Sequence, residues 1–245
     1  MENFIGKVVN GDCREVMKTM EEGCVDLIVT SPPYGVGIAY DVHDDDMLIE
    51  EYLKFTEEWM SEAFRVLKDD GRIAINIPYE INRQAKGGRV FMVSEVWQIM
   101  KKIGYKFFGV VKGVPEWVGE MGEVEDKNGV MKNKMMYTET QKREFIDLVF
   151  GQWHYFADTK SMTKATFSMD IPTKAIKILT YKNDIVLDPF AGSGTSLVAA
   201  ETLDRRWIGI ELSPNYAEVA KKRVNVFVEG RRQQVINFEE TTTLT

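Results

Sequence analysis

Two apolar runs each end in a turn of chemically distinctive residues, and this pairing limits the choice of fold more than any other feature. Val25–Thr30 (VDLIVT) is a continuous β-rich run closed by Ser31-Pro32-Pro33-Tyr34. Asp184–Phe190 carries a second such run and passes into Ala191-Gly192-Ser193-Gly194-Thr195. Runs without polar alternation mark strands buried on both faces. Such strands belong to parallel sheets clad by helices, and open α/β sheets bind ligands at their C-terminal edge, where both turns fall.

The rest of the chain follows the same alternation. Lys7–Asn10, Arg72–Ile77, Phe107–Lys112 and Trp207–Leu212 read as further strands, with Asp147–Phe156 as another candidate. Between them, Cys13–Met20, Leu48–Leu67, Phe91–Ile103 and Ser196–Leu203 read as helices. In Leu48–Leu67, Tyr52, Phe55, Trp59, Ala63 and Val66 recur at helical spacing. Pro172 is placed to open a helix with Ala175, Ile176 and Leu179 on its apolar face. Ser213-Pro214 supplies an N-cap and a first-turn proline for a helix over Asn215–Val228. Asp69-Asp70-Gly71 and Asn82–Arg89 read as connections, and Thr241–Thr245 as a frayed end. The expected fold class is α/β, a mostly parallel sheet with helices on both faces. Gly113–Lys142 mixes Gly, Met, Lys and Glu without a clear period and reads as an insertion.

The 245 residues suffice for one large α/β domain. No apolar run approaches the roughly 20 residues that cross a bilayer. The start, MENFIGKVVNGDC, lacks a basic region followed by an apolar core, so no signal peptide is expected. Cys13 and Cys24 stand apart from any His cluster, so no metal site is expected and the usage fits a reducing cytoplasmic setting. The net charge of -7 does not announce a nucleic-acid binder, nor does it exclude one, because a local basic stripe suffices. Candidate stripes are Arg83, Lys86 and Arg89, and Lys127, Lys132, Lys134, Lys142 and Arg143.

In the second turn, glycines let the backbone approach a ligand, and the following helix start offers free N–H groups. Glu211 ends the next strand, where an acidic residue accepts hydrogen bonds from ribose hydroxyls. Read alone, this also fits a nicotinamide dehydrogenase or a merely tight turn. A P-loop lacks its Gly-Lys-Ser/Thr. Asp188 argues against a pyrophosphate and suits a cationic ligand such as a sulfonium.

In the first turn, two prolines fix the backbone and remove N–H groups. A Ser hydroxyl, a carbonyl and a Tyr ring can together grip a planar exocyclic amine. Stacking on such a ring contributes roughly 1–3 kcal/mol per base. The alternative is a proline-stiffened turn with a packed tyrosine.

VDLIVTSPPYGVG followed by VLDPFAGSGTSLVAAETLDRRWIGIELSPNYAEVAKKR resembles the DNA amino-methyltransferases that use S-adenosyl-L-methionine, in the motif order of their permuted (beta) group. NGDC at 10–13, RVLKDDGRIAINI and DIP at 170–172 also fit, and the resemblance runs from Val9 to about Arg223. It implies a Rossmann-like methyltransferase with a seven-stranded sheet forming a single domain over 1–245, and target recognition by an insertion at 113–160. Ser31, Pro32, Pro33 and Tyr34 would hold the target amine and the flipped base. Asp188, Pro189, Phe190, Ala191, Gly192, Ser193, Gly194 and Thr195 would line the methionine and ribose part of the cofactor. Glu211, with Leu212 beside it, would bind the ribose, and Asp12, with Cys13 nearby, would reach the adenine amine. The permuted order would bring the first strand beside the last.

The implied partner is double-stranded DNA, with a homodimer and a cognate restriction endonuclease as further candidates. Ser rather than Asp at position 31 favours cytosine-N4 over adenine-N6 in this family, although both bases present the same amidine-like amine. Cys13 and Cys24 do not follow a proline as the nucleophile of a cytosine-C5 enzyme would. Methylation of RNA or of a protein amide, and a non-catalytic nucleic-acid-binding module, are the competing readings.

Overall fold

In the computed structural model the described residues are 1–35, 47–83, 88–107, 120–125, 131–136 and 168–243. Their centre is a five-stranded parallel sheet of β1 (Lys7–Asn10), β2 (Val25–Thr30), β3 (Leu67–Ile75), β8 (Ile185–Asp188) and β9 (Arg206–Glu211), in the order β1-β9-β8-β2-β3. The registers pair Asn10 with Glu211, Asp188 with Gly209, Ile28 with Leu187 and Thr30 with Ile75. All five strands therefore run out at one edge, and the first strand lies beside the last.

Helices cover both faces, as the unbroken apolar runs require. One face packs Val25, Ile28, Leu187, Ile208 and Ile210 against α1 (Cys13–Lys18), α2 (Ile49–Val66) and α3 (Met92–Ile103). The other packs Leu27, Val29, Val186 and Trp207 against α4 (Asp170–Leu179), α5 (Thr195–Thr202) and α6 (Pro214–Thr243). Leu27, Ile28 and Val29 of β2 enter the two cores in turn, so each of the three must be apolar. In α2, Tyr52, Thr56, Trp59, Met60, Ala63 and Val66 are buried, so the stripe read from the sequence holds except that Phe55 is only half-buried and Thr56 lies inside. Among the described residues, no helix is long and apolar enough to cross a membrane.

The structure differs from the sequence reading in four places. Strand β3 begins at Leu67, directly after α2, and Lys68–Gly71 form an irregularity that shifts its register against β2 before pairing resumes at Arg72. Residues expected as a connection at 82–89 contain an antiparallel hairpin of β4 (Ile81–Arg83) and β5 (Gly88–Val90). Within the aperiodic insertion, β6 (Glu120–Glu125) pairs antiparallel with β7 (Met131–Met136), a pairing that no alternation announces. Helix α6 continues well past Val228 to Thr243, because that stretch is rich in Gln, Glu and Arg, which favour helix by intrinsic propensity. The expected strands at 107–112 and 147–156 fall almost wholly outside the described residues, as do the rest of the candidate insertion and Lys86, Lys127, Lys142 and Arg143.

Candidate active site

The glycine turn is held from three sides. Gly192 (φ 53°) and Gly194 (φ 81°) adopt left-handed backbone that disfavours side chains. A Cβ on Gly194 would lie 3.1 Å from the Ala220 Cβ of α6, so glycine is also a packing requirement there. A Cβ on Gly192 would meet nothing closer than the Phe190 carbonyl at 4.0 Å, so this backbone is open to a ligand. Arg223 of α6 donates to Ser193 Oγ at 3.1 Å and to Thr195 Oγ1 at 3.0 Å. Those two hydroxyl residues, both buried, thereby tie the turn to a neighbouring helix.

Glu211 braces the turn from the next strand. Its Oε2 accepts from the Gly192 amide and its Oε1 from the Ser213 amide, each at 2.8 Å. Burial raises its pKa, against the pull of those amides. A carboxylate has about four acceptor sites, so capacity remains for a ribose diol. Asn10 closes the edge by donating to the carbonyls of Glu211 and Leu212, both at 2.9 Å, while the Leu212 side chain is exposed.

Asp12, two residues beyond the end of β1, caps α1. Its carboxylate is clamped by Arg14, with Nη2 at 2.6 Å and Nε at 3.0 Å, and these hydrogen bonds hold its pKa low. Arg14 also reaches Glu58 at 2.6 Å and lies over the Phe55 ring at 5.2 Å. Phe55 and Trp59 both meet Phe190 edge-on, at 6.0 and 5.2 Å. Phe190 and the open Gly192 backbone thus give one end of the sheet an aromatic wall and free space, beside an Asp12 carboxylate whose oxygens are taken by the side chain and backbone amide of Arg14. That set suits an adenosyl group. Cys13 is buried and its thiol is pushed far up by burial, which excludes it as a thiolate. Pro189 and Ala191 are buried beneath the turn.

On β2, the sequence-chosen residues meet in one hydroxyl cluster. Ser31 Oγ and Tyr34 Oη lie 2.6 Å apart. Asn76, one residue past β3, donates its side-chain amide to Tyr34 Oη at 3.0 Å and to Ser31 Oγ at 3.4 Å. Its backbone amide donates to the Thr30 carbonyl at 2.8 Å. Pro32 is buried and Pro33 half-buried. Sequence reading passed over Asn76, although a polar residue closing RIAI at the same edge was a usable signal. It also passed over Arg14 and Arg223, whose roles depend on contacts between helices and turns.

Asp188 is enclosed by its own hydrogen-bond partners. It is 1% exposed, and its Oδ1 accepts from Thr30 Oγ1 at 2.7 Å and from the Phe190 amide at 3.0 Å. Its Oδ2 accepts from Ser196 Oγ. Burial, helped by the Glu211 charge, pushes its pKa up to about 6 against these hydrogen bonds.

Known proteins resemble this chain in sequence and in fold. The model of the DNA methylase family (N6_N4_Mtase) matches residues 25–112 and 122–222. The type II methyltransferase M.HpaI of Haemophilus parainfluenzae is 25% identical over 250 residues, spanning 91% of this chain and 76% of its own. The Thermus thermophilus protein TTHA0409, crystallised with S-adenosyl-L-methionine, superposes with a TM-score of 0.61 at 27% identity, covering 89% of this chain and 92% of its own. PvuII DNA methyltransferase (cytosine-N4-specific) shares the fold alone, with a TM-score of 0.60 at 16% identity over 90% of this chain and 94% of its own. With both turns inside the matched residues, the chain belongs to the DNA methylase family whose members methylate amino groups of bases at N4 or N6.

Proposed function

We propose that this protein transfers a methyl group from S-adenosyl-L-methionine to the exocyclic amine of a base flipped out of double-stranded DNA, with cytosine-N4 as the target. One observation carries the reading. The hydroxyl cluster of Ser31 and Tyr34 and the turn braced by Glu211 sit on neighbouring strands, joined by the 2.7 Å bond from Thr30 to Asp188. Paired strands are about 4.8 Å apart, a spacing that supports a site where two ligands meet across the two turns.

The bound cofactor would supply an electrophilic methyl on a sulfonium centre. Glu211 would take the ribose hydroxyls, the Gly192 backbone would pass close to the ligand, and Phe190 and Asp12 would meet the adenine. Ser31 Oγ and the Pro32 carbonyl would accept the two N–H bonds of the target amine. Holding both N–H bonds in that geometry shifts the nitrogen towards a tetrahedral arrangement, which localises a lone pair otherwise delocalised into the ring and aims it at the methyl. Tyr34 stacks on the base and offsets part of the few kcal/mol that flipping costs. The proton lost on N-methylation passes to solvent water. No thiolate takes part, since burial holds both cysteine thiols protonated. Ser31 in place of an acidic residue favours cytosine-N4, and residues 113–160 form the target-recognition insertion.

The test is transfer of labelled methyl from S-adenosyl-L-methionine to unmethylated double-stranded DNA, followed by digestion to nucleosides and mass analysis. N4-methylcytosine is expected. N6-methyladenine would overturn the base assignment, and labelling of RNA alone would overturn the DNA reading. Ser31→Ala and Tyr34→Ala should lower the transfer rate far more than cofactor affinity. Equal loss of both would mean that the two halves are misassigned.

A further inference from the structure

A continuous hydrogen-bonded chain crosses the sheet beneath both turns. Ser196 of α5 donates to Asp188, and Thr30 donates to the other oxygen of Asp188 at 2.7 Å. The Thr30 carbonyl accepts from the Asn76 amide at 2.8 Å, and the Asn76 side chain reaches Tyr34 and Ser31. Thr30, Asp188 and Ser196 are 0%, 1% and 0% exposed. The backbone register between β2 and β8 runs only through Leu27↔Val186 and Ile28↔Leu187. Past that point, where the two functional turns begin, the Thr30–Asp188 side-chain bond continues the connection.

We propose that Thr30 and Asp188 are positioning residues, which touch neither cofactor nor base and instead fix the spacing between the cofactor turn and the amine-gripping turn. Asp188 already accepts three hydrogen bonds on its two oxygens, from Thr30, Phe190 and Ser196, and is closed to solvent. It has little capacity left and no route to a ligand. Its carboxylate instead serves both turns. Through Phe190 and Ser196 it holds the start and the end of the glycine turn, and through Thr30 it holds the residue before Ser31. The reacting nitrogen and methyl must come within about 3–3.5 Å in line, and a misplacement of about 1 Å costs on the order of 100-fold in rate. Loosening this connection should therefore slow transfer while leaving each ligand's own contacts intact.

This inference rests on the proposed function, and the experiment separates the two. Thr30→Val keeps the shape and removes the hydroxyl, whereas Thr30→Ser keeps the hydroxyl. Steady-state transfer to unmethylated double-stranded DNA is measured beside calorimetric binding of S-adenosyl-L-methionine. Thr30→Val is expected to lose about 10- to 100-fold in kcat with cofactor Kd changed less than about threefold. Thr30→Ser is expected to recover wild-type kcat within about threefold. A Thr30→Val kcat near wild type would overturn the proposal, as would a parallel loss of cofactor affinity or a Thr30→Ser variant as slow as Thr30→Val. If Thr30→Val does not fold, Ser196→Ala decides, since removing the other hydroxyl on Asp188 must also lower kcat more than affinity. An unchanged Ser196→Ala kcat would then refute the positioning role. Wild-type protein that transfers no methyl to DNA would overturn the proposed function and this inference together. Active wild type with an unaffected Thr30→Val would overturn this inference alone.

Discussion

Replacing Asp188 by Asn should change the pH dependence of stability in a way that follows from its burial. The carboxyl is 1% exposed, and its pKa rises from 3.8 to about 6 in the folded protein. Between those values the folded state binds a proton that the unfolded state does not. Stability from this group is therefore fully present below pH 4 and is lost as pH rises through 6. At about 1.4 kcal/mol per pKa unit, the loss is about 3 kcal/mol by neutral pH. Asn keeps an oxygen for Thr30 and Phe190 and can donate to Ser196 Oγ, so the hydrogen-bonded shape survives without the charge. The variant should gain about 3 kcal/mol on wild type between pH 4 and pH 7, read as the difference between urea unfolding curves at several pH values. Taking the difference cancels most of the titration of the other carboxylates. Curves separated by a constant amount across that range would refute the assignment of a buried, charged Asp188.

Two further perturbations test the cofactor turn. Glu211→Gln should weaken calorimetric binding of S-adenosyl-L-methionine about 10- to 100-fold, because hydrogen bonds to a charged acceptor contribute about 1.5–3 kcal/mol each; a change under about threefold would remove Glu211 from the ribose site. Gly194→Ala places a Cβ at φ 81° and 3.1 Å from Ala220 Cβ, which should cost about 1–3 kcal/mol and lower the melting temperature. An unchanged melting temperature would mean that the turn has another conformation available.

The parallel sheet was legible because VDLIVT and IVLD have no polar alternation, which only a strand buried on both faces tolerates. The two turns were legible for a related reason, since Pro-Pro and Gly-x-Gly dictate backbone that few other residues allow. The hairpins at 81–90 and 120–136 were not, because short polar strands carry no period to read. Residue types at 31, 34, 188 and 211 pointed to an amine methylated from a nucleoside-bearing cofactor. Their different surroundings were invisible, because a carboxylate at a strand end has the same sequence signature whether it lies at the sheet edge or is enclosed by a neighbouring strand. Asp188 and Glu211 both looked like ligand residues. Only the folded sheet sets Asp188 against Thr30 and Ser196, 158 and 8 residues away, and leaves Glu211 with room at the edge. The local chain determined which strands and turns exist, through periodicity and backbone restriction. The tertiary structure decided which polar groups are enclosed among their own partners and which stay at the sheet edge, because that depends on long-range register and burial.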